Sequence, residues 1–359
     1  MTNREQEILE LIRKKPMISQ HDLSKTLGIT RSSVAVHITN LIKKGYIAGK
    51  GYIIKDEEFV TVVGGVNVDI VGFPSSKLVQ MDSNPGKVKI SFGGVGRNIA
   101  ENLVKLGIHT KLISAVGDDL YGHKVFDEAR LIGLDMQDSL ILKQQSTSTY
   151  MAILDEKGDM NVAIAHMDIF EKINIDFIKQ KKHLIENSKA CVIDTNMPKE
   201  VIEYILTNNK KNDFFLDTVS TVKAMKVKDL IGHFHTIKPN KLEAEMLSGI
   251  KISSKKDFES CSEYFLNKGV KRVFISLGEE GLYYNDGINK SHISGNKIKV
   301  VNATGAGDAF IAALVYGYYN DFDINHSARF AMSAAELALS HEATINPNMS
   351  VENIKNIMK

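Results

Sequence analysis

The chain has 359 residues, 43% of them hydrophobic and 25% charged, with a net charge of +2. That balance is ordinary for a globular protein with a sizeable core, and the length suits two or three domains. No run of about 18 apolar residues occurs, so no membrane partner is expected, and the charged N-terminus MTNREQEILELIRKK lacks the apolar centre of a secretion signal. The two cysteines, Cys191 and Cys261, lie far apart and outside ligand spacing, and read as buried free thiols in a cytoplasmic protein. The small net charge hides an asymmetry: residues 1–55 carry ten Lys/Arg against four Asp/Glu, whereas the remainder is mildly acidic. A basic head on an acidic body marks a domain boundary.

The head reads as three helices and a hairpin. A first helix over about 3–14 places Ile8, Leu11 and Ile12 on one face with Leu9 at its flank. A second, over about 20–27, follows Ser19 as N-cap, buries Leu23 and Leu27, and is broken by Gly28. Thr30 caps a third, in which Val34, Ile38, Leu41 and Ile42 recur at helical spacing. After Gly45, residues 46–54 alternate around glycines like a short hairpin, or wing. The order resembles a bacterial winged helix-turn-helix DNA-binding domain. That likeness implies that the third helix enters the major groove with Arg31, Ser32, Ser33 and His37, while Lys43, Lys44 and Lys50 meet backbone phosphates. A small packing or dimerisation module is the alternative. One winged domain covers one half-site, so DNA binding implies a homodimer or larger.

Residues 56–61 read as a linker to a body spanning 62–359. There strand and helix patterns alternate, as in an α/β fold with a mostly parallel sheet covered on both faces. Residues 61–69 are expected to form one buried strand that ends in polar residues. Helices are expected over 97–106 and 121–132, and strands over 111–116, 191–194, 214–217, 236–238 and 272–276. Lys87 to Phe92 and Thr149 to Leu154 alternate, and look like excursions that form a small antiparallel lid. Polar residues recur where the core strands end, the edge at which open α/β sheets bind ligands.

The most informative segment is Asn302-Ala303-Thr304-Gly305-Ala306-Gly307-Asp308. It follows the strand-like run Ile298–Val301 and opens an apolar helix. Free backbone N–H groups and the helix dipole make such a turn a site for phosphate oxygens. A carboxylate there would repel phosphate, unless Asp308 takes a proton from a hydroxyl that attacks it. The plainer alternative is a tight turn with Asp308 as a helix cap. Four further constellations sit at strand ends. Asn67 and Asp69 suit vicinal hydroxyls of a sugar, and Gly93-Gly94-Val95-Gly96-Arg97-Asn98 opens a helix with close backbone approach. Asn240 and Glu243, three apart, can orient a hydrated Mg²⁺ or form a capping box. Ser276-Leu277-Gly278-Glu279-Glu280-Gly281 is a turn able to cradle a nucleotide.

Asn-x-Asp, GGxGxN, KPNxxE, SxGxxG and GAGD in this order resemble the ribokinase-like (PfkB) family of small-molecule kinases over about residues 60–345; the G-x-x-x-x-G-K-[ST] loop is absent. The resemblance implies a Rossmann-type core with a β-lid and transfer of the γ-phosphoryl group of ATP to a sugar hydroxyl. Asp308 would be the base, and the amides of Gly305, Ala306 and Gly307 the anion hole. Asn240 and Glu243 would handle Mg²⁺, the latter through water, and Asn240, Ser276, Gly278 and Gly281 would bind ATP. Asn67, Asp69, Gly93, Gly94 and Asn98 would hold the sugar. Many members carry an aspartate six positions before the base in a monovalent-cation site. Here Asn302 stands there, which leaves cation activation open. Asn84-Pro85-Gly86-Lys87 followed by GGVGRNIAENL resembles the pseudouridine kinase branch, and implies a pseudouridine 5′-hydroxyl as acceptor with Asn84, Lys87, Lys89 and Thr149 facing the uracil ring, joined by His166 and Asp168. The fused head suggests a transcription-regulatory role. A nucleoside-sensing regulator, or the same chemistry on another nucleoside or a ketohexose, are the alternatives.

Overall fold

In the computed structural model, which describes residues 1–47 and 58–358, caps and apolar spacing set the three helices of the head at Asn3–Lys14, Gln20–Leu27 and Arg31–Lys43. Thr2, Ser19 and Thr30 are the N-caps, each accepting a hydrogen bond from a backbone N–H of the first turn, and Gly28 closes the second helix at φ 64°. Ile8, Ile12, Leu23, Val34, Ile38 and Leu41 form the core, joined by Ile47 and by Leu9, which is buried rather than flanking. Ile42, expected on that face, is 45% exposed, because its neighbour Leu41 takes the inward position. Lys44 is not free for phosphate: its Nζ lies 2.7 Å from the carboxylate of Glu5, whose side chain is buried. The hydrogen bond from Lys44 is the main reason that the Glu5 carboxyl is held down to about 2. Most of the expected wing, with Lys50, lies outside the described residues.

The chain divides into the units Met1–Glu58 and Phe59–Lys359. In the second, six strands run parallel in the order Thr110–Ile113, Val60–Val63, Ala190–Asp194, Phe214–Asp217, Thr236–Ile237 and Arg272–Ser276. Leu282–Asn285 and Lys290–Ile293 extend one edge antiparallel. Successive strand residues feed opposite cores: Val62 and Val192 pack on one face, Val63 and Ile193 on the other. This is the two-residue side-chain period on a sheet covered on both sides. Both cysteines are buried free thiols, Cys191 in the strand Ala190–Asp194 and Cys261 in the helix Lys255–Lys268. Val60 and Thr61, expected in the linker, pair with Thr110 and Lys111 and with Ala190 and Cys191 as the start of the central strand.

The single strand expected over 61–69 is two strands in different sheets. It breaks at Gly64-Gly65, where the chain passes against the helix Val95–Lys105 so closely that a Cβ on Gly96 would stand 2.6 Å from the carbonyl carbon of Gly64. Asn67–Pro74 then begins a separate four-stranded sheet, in the order Gly86–Gly93, Asn67–Pro74, Thr149–Leu154, Met160–His166. That sheet is the lid. It is mixed rather than wholly antiparallel, since Asn67–Pro74 and Thr149–Leu154 run parallel.

Because the gap between Gly64 and Gly96 is backbone against backbone, Gly96→Ala forces a shift in the floor of the site. Overpacking of this kind costs about 1–3 kcal/mol, so thermal unfolding of Gly96→Ala should begin several degrees below that of the unaltered protein.

Candidate active site

The turn that opens the helix Ala306–Tyr319, expected to be an anion hole, leaves its backbone amides uncapped. Gly305 is the N-cap at φ 84°, and a Cβ there would overlap the carbonyl oxygen of Thr344. No side chain caps this helix, so its first amides remain directed outward. The ammonium of Lys238 stands beside them, 3.1 Å from where a Cβ on Gly307 would lie. Lys238 has no role in the motif reading, although it opens the KPNxxE run; its burial at a strand end is what reveals it. Asn302 ties the turn down, its Oδ1 accepting from Thr304 N and its Nδ2 donating to Glu342 O, both at 2.9 Å. Ile298–Val301 is not a strand. It finds no strand partner, and Val301 N instead donates to Leu339 O at the end of the helix Ile324–Leu339.

Asp308 sits in the first turn of its helix and is buried. Asn98 Nδ2 donates to its Oδ2 at 2.8 Å, so the asparagine expected to hold the sugar is found orienting the carboxylate. Asn98 sits in the first turn of Val95–Lys105, and Asn102, one turn further on, donates from Nδ2 to its backbone carbonyl oxygen at 2.9 Å. Burial pushes the Asp308 carboxyl up to about 7, helped by the like charge of Asp217, against the Asn98 hydrogen bond and the charge of Lys238. A base poised near neutrality in a dry site suits proton abstraction from a hydroxyl.

On the acceptor side, Asn67 Nδ2 donates to Asp69 Oδ1 at 2.6 Å, and desolvation raises the Asp69 carboxyl. Gly93 faces this carboxylate so closely that a Cβ would overlap it, and Gly94, at φ 99°, would bring a Cβ to 2.5 Å from Gly65 O. Strand register sets Ser91, Lys89, Lys87 and Tyr150 on the lid face of Asp69. The same register puts Thr149 and His166 on the other face, with Val68, because they pair with it and with each other; Asp168 lies beyond the strand, exposed. Asn84 is spent within its own loop, where its side chain accepts from Val79 N and donates to Val79 O and Asp82 O. Asn196 and Lys223 join this side unforeseen. The Lys223 ammonium donates to Asn196 Oδ1 at 2.6 Å, and Asn196 Nδ2 lies 2.9 Å from where a Cβ on Gly65 would stand. The polar run Asp194-Thr195-Asn196 at a strand end was the available signal.

On the expected donor side, a cavity of about 600 Å³ is bounded by Lys238, Ser276, Gly278, Gly281, Ala306 and Gly307 and by the apolar side chains of Ile298, Val300, Phe310, Met332 and Leu339. Asn240 and Glu243 form a true capping box: Asn240 Oδ1 accepts from Glu243 N, and Glu243 Oε2 accepts from Asn240 N, both at 2.9 Å. Thr218 Oγ1 also donates to Glu243 Oε2 at 2.6 Å. With these oxygens engaged, the pair suits contact with a cation through water better than direct ligation, and among the described residues no group of three His, Cys, Asp or Glu could hold a metal.

A Rossmann-like sheet with a β-lid, and a buried carboxylate at a glycine-rich helix N-terminus, form the frame of a small-molecule kinase. The model of the pfkB family of carbohydrate kinases matches residues 57–351, and the chain belongs to that family. Residues 1–48 match the winged helix-turn-helix DNA-binding model. An uncharacterized sugar kinase of Escherichia coli, YeiI, is 36% identical over 98% of both chains, so the match takes in the head. Escherichia coli pseudouridine kinase is 38% identical over 85% of this chain and 98% of its own. Among solved structures, a putative sugar kinase from Clostridium perfringens is 43% identical over 85% of this chain and 96% of its own, with a TM-score of 0.79. Among the described residues, no helix is long and apolar enough to cross a membrane.

The elevated Asp308 carboxyl has a stability consequence. The folded state holds this proton up to about pH 7, whereas the unfolded chain releases it near 3.8, so the residue costs stability increasingly as pH rises between those values. Asp308→Asn should therefore raise the melting temperature, by more at pH 8 than at pH 5. A gain that is equal at both values would contradict the buried-carboxylate account.

Proposed function

We propose that this chain phosphorylates the 5′-hydroxyl of pseudouridine with ATP, and that its head binds DNA as part of a homodimer in the cytoplasm. The observation that carries the kinase chemistry is the Asp308 carboxylate held by Asn98 beside the amides of Gly305, Ala306 and Gly307. Asp308 accepts the proton of the acceptor hydroxyl as its oxygen bonds to the γ-phosphorus, and the β–γ bridging oxygen leaves with ADP. Lys238 and the turn amides take up charge on the transferring group, worth on the order of 3–4 kcal/mol per donor. Glu243, through water, and Asn240 would hold Mg²⁺, which when bound would supply further charge neutralisation on the phosphates. Asn67 and Asp69 hold the ribose hydroxyls.

Pseudouridine is favoured over other acceptors by the likeness to a pseudouridine kinase and by Lys87 and Lys89 on the lid face of Asp69. In the head, Arg31 is exposed at the start of the third helix, where a recognition helix meets the groove. Ser32 and Ser33 exchange hydrogen bonds with the Thr30 hydroxyl at 2.9 and 2.8 Å, and would contact DNA from that capped position. His37 is half-buried, and Lys43 lies exposed in the last turn. A dimer is supported by the lid face opposite Asp69, where Val88, Ile90, Met151, Val162 and Ile164 are 43–69% exposed on three strands of the four-stranded sheet.

The direct test is ATP-dependent phosphorylation over pseudouridine, uridine, inosine, adenosine, ribose and fructose. Pseudouridine should turn over best, with Asp308→Asn lowering the rate by about 10²–10⁴-fold. Turnover of another member would replace the acceptor. Ligand binding without turnover would favour a sensor-regulator. In analytical ultracentrifugation, Ile90→Asp combined with Ile164→Asp should convert a dimer into monomer and weaken DNA binding with it; an unchanged sedimentation coefficient would discard that face as the interface.

A further inference from the structure

Along the helix Ile324–Leu339, Met332, Ala335, Glu336 and Leu339 all border the 600 Å³ cavity, at the i, i+3, i+4 and i+7 spacing of a single helix face. Three of the four are apolar. With Ile298 and Val300, from the irregular segment that precedes the anion hole, they bound a slot suited to a flat ring. The cavity also reaches Gly307 and Lys238, where phosphates belong, so the part beside these apolar side chains receives the base of a nucleotide. Glu336 is the charged member of the four; Glu279 and Lys297 border the cavity from other segments.

Its carboxylate is held in place. Asn296 Nδ2 donates to Oε1 at 2.9 Å and to Oε2 at 3.0 Å, joining the irregular segment to the helix across the slot. An ionised carboxylate only accepts hydrogen bonds, and Asn296 leaves several of its lone pairs free. A ring edge carrying an amino group satisfies it. A ring edge carrying a carbonyl oxygen in the same place meets it acceptor to acceptor, which is the kind of mismatch that discriminates strongly because a polar group is left unpaired.

We propose that Glu336 is the base-selecting residue of the phosphoryl-donor site, accepting the exocyclic amino group of adenine and rejecting the 6-oxo edge of guanine. The assignment rests on the kinase reading of this cavity. Asn296 is a positioning residue within it, since it fixes the carboxylate.

The test is calorimetric titration of the full chain, with Mg²⁺, against non-hydrolysable analogues of ATP, GTP and 2′-deoxy-ATP. The unaltered protein should bind the ATP analogue at least about tenfold more tightly than the GTP analogue, the scale of a charge-assisted hydrogen bond. Glu336→Gln, which can donate to a carbonyl, should narrow the ratio mainly by improving the GTP analogue. Glu336→Ala should weaken the ATP analogue by about tenfold and leave the GTP analogue unchanged or tighter. An ATP-to-GTP ratio that stays within about twofold in both variants would overturn the proposal. So would a loss in Glu336→Ala that disappears with the 2′-deoxy analogue, which would make the ribose hydroxyl the donor. Failure of the unaltered protein to bind any of the three nucleotides would overturn the kinase reading as well, whereas binding with an unmoved ratio would overturn the Glu336 assignment alone.

Discussion

The arrangement around Asp308 depends on placing a carboxylate inside the protein at a helix N-terminus. Burial and the like charges of Asp217 and Asp194 oppose its ionisation, while Asn98 and Lys238 favour it. The balance leaves a group that can hold or release a proton near neutrality. Asp194 is itself pushed up to about 6 by burial, and is satisfied by the amides of Gly65 and Asn196 at 2.7 and 2.8 Å. The ends of neighbouring strands thus carry a cluster of carboxylates whose solvation is supplied by backbone amides, an asparagine and two lysines. Water performs that service for an exposed carboxylate; its replacement by fixed dipoles is what allows the site to be dry and still ionisable.

Close backbone approach serves the same end from both sides of the cleft. Gly64 meets Gly96 beneath the acceptor pocket, and Gly305 meets Thr344 beneath the anion hole. Each contact brings a helix N-terminus to neighbouring backbone, at a strand end for Gly96 and at the segment after the helix Ile324–Leu339 for Gly305, more nearly than any side chain would permit. The first delivers Asn98, the second delivers Asp308, and the hydrogen bond between them closes the gap. The two helices also pack along one hydrophobic core, so the geometry of the site is inherited from the packing of the body.

Two pairings illustrate how charge is used differently in the two units. In the head, Lys44 is drawn from the basic surface to neutralise the buried Glu5, which leaves Arg31 and Lys43 as exposed cations on the third helix. In the body, Lys238 at a strand end points to the turn of Gly307, and Lys223 in the short helix Thr221–Ala224 points to Asn196. A count of charges, which first separated the two units, cannot distinguish these uses.

Much of this was legible in the residues. Helix caps and breakers such as Ser19, Gly28 and Thr30 act locally, through hydrogen bonds to their own first turn or through a positive φ, so the head helices could be drawn from spacing alone. The glycine–aspartate turn was equally local, because Gly305, Gly307 and Asp308 lie within one turn of chain. The separation of Asn67–Pro74 from the core strand, the face on which Thr149 stands, the inward Lys238, and the contacts of Asn98 with Asp308 and of Lys223 with Asn196 were decided only by tertiary structure. Each depends on register or on a partner distant in sequence: an alternating strand does not state which face meets the cleft, and an amide near a glycine loop does not state which carboxylate it will find. The sequence determined the local geometry and the kinds of chemical group available; the close packing of two helix N-termini on one sheet edge decided which of those groups meet.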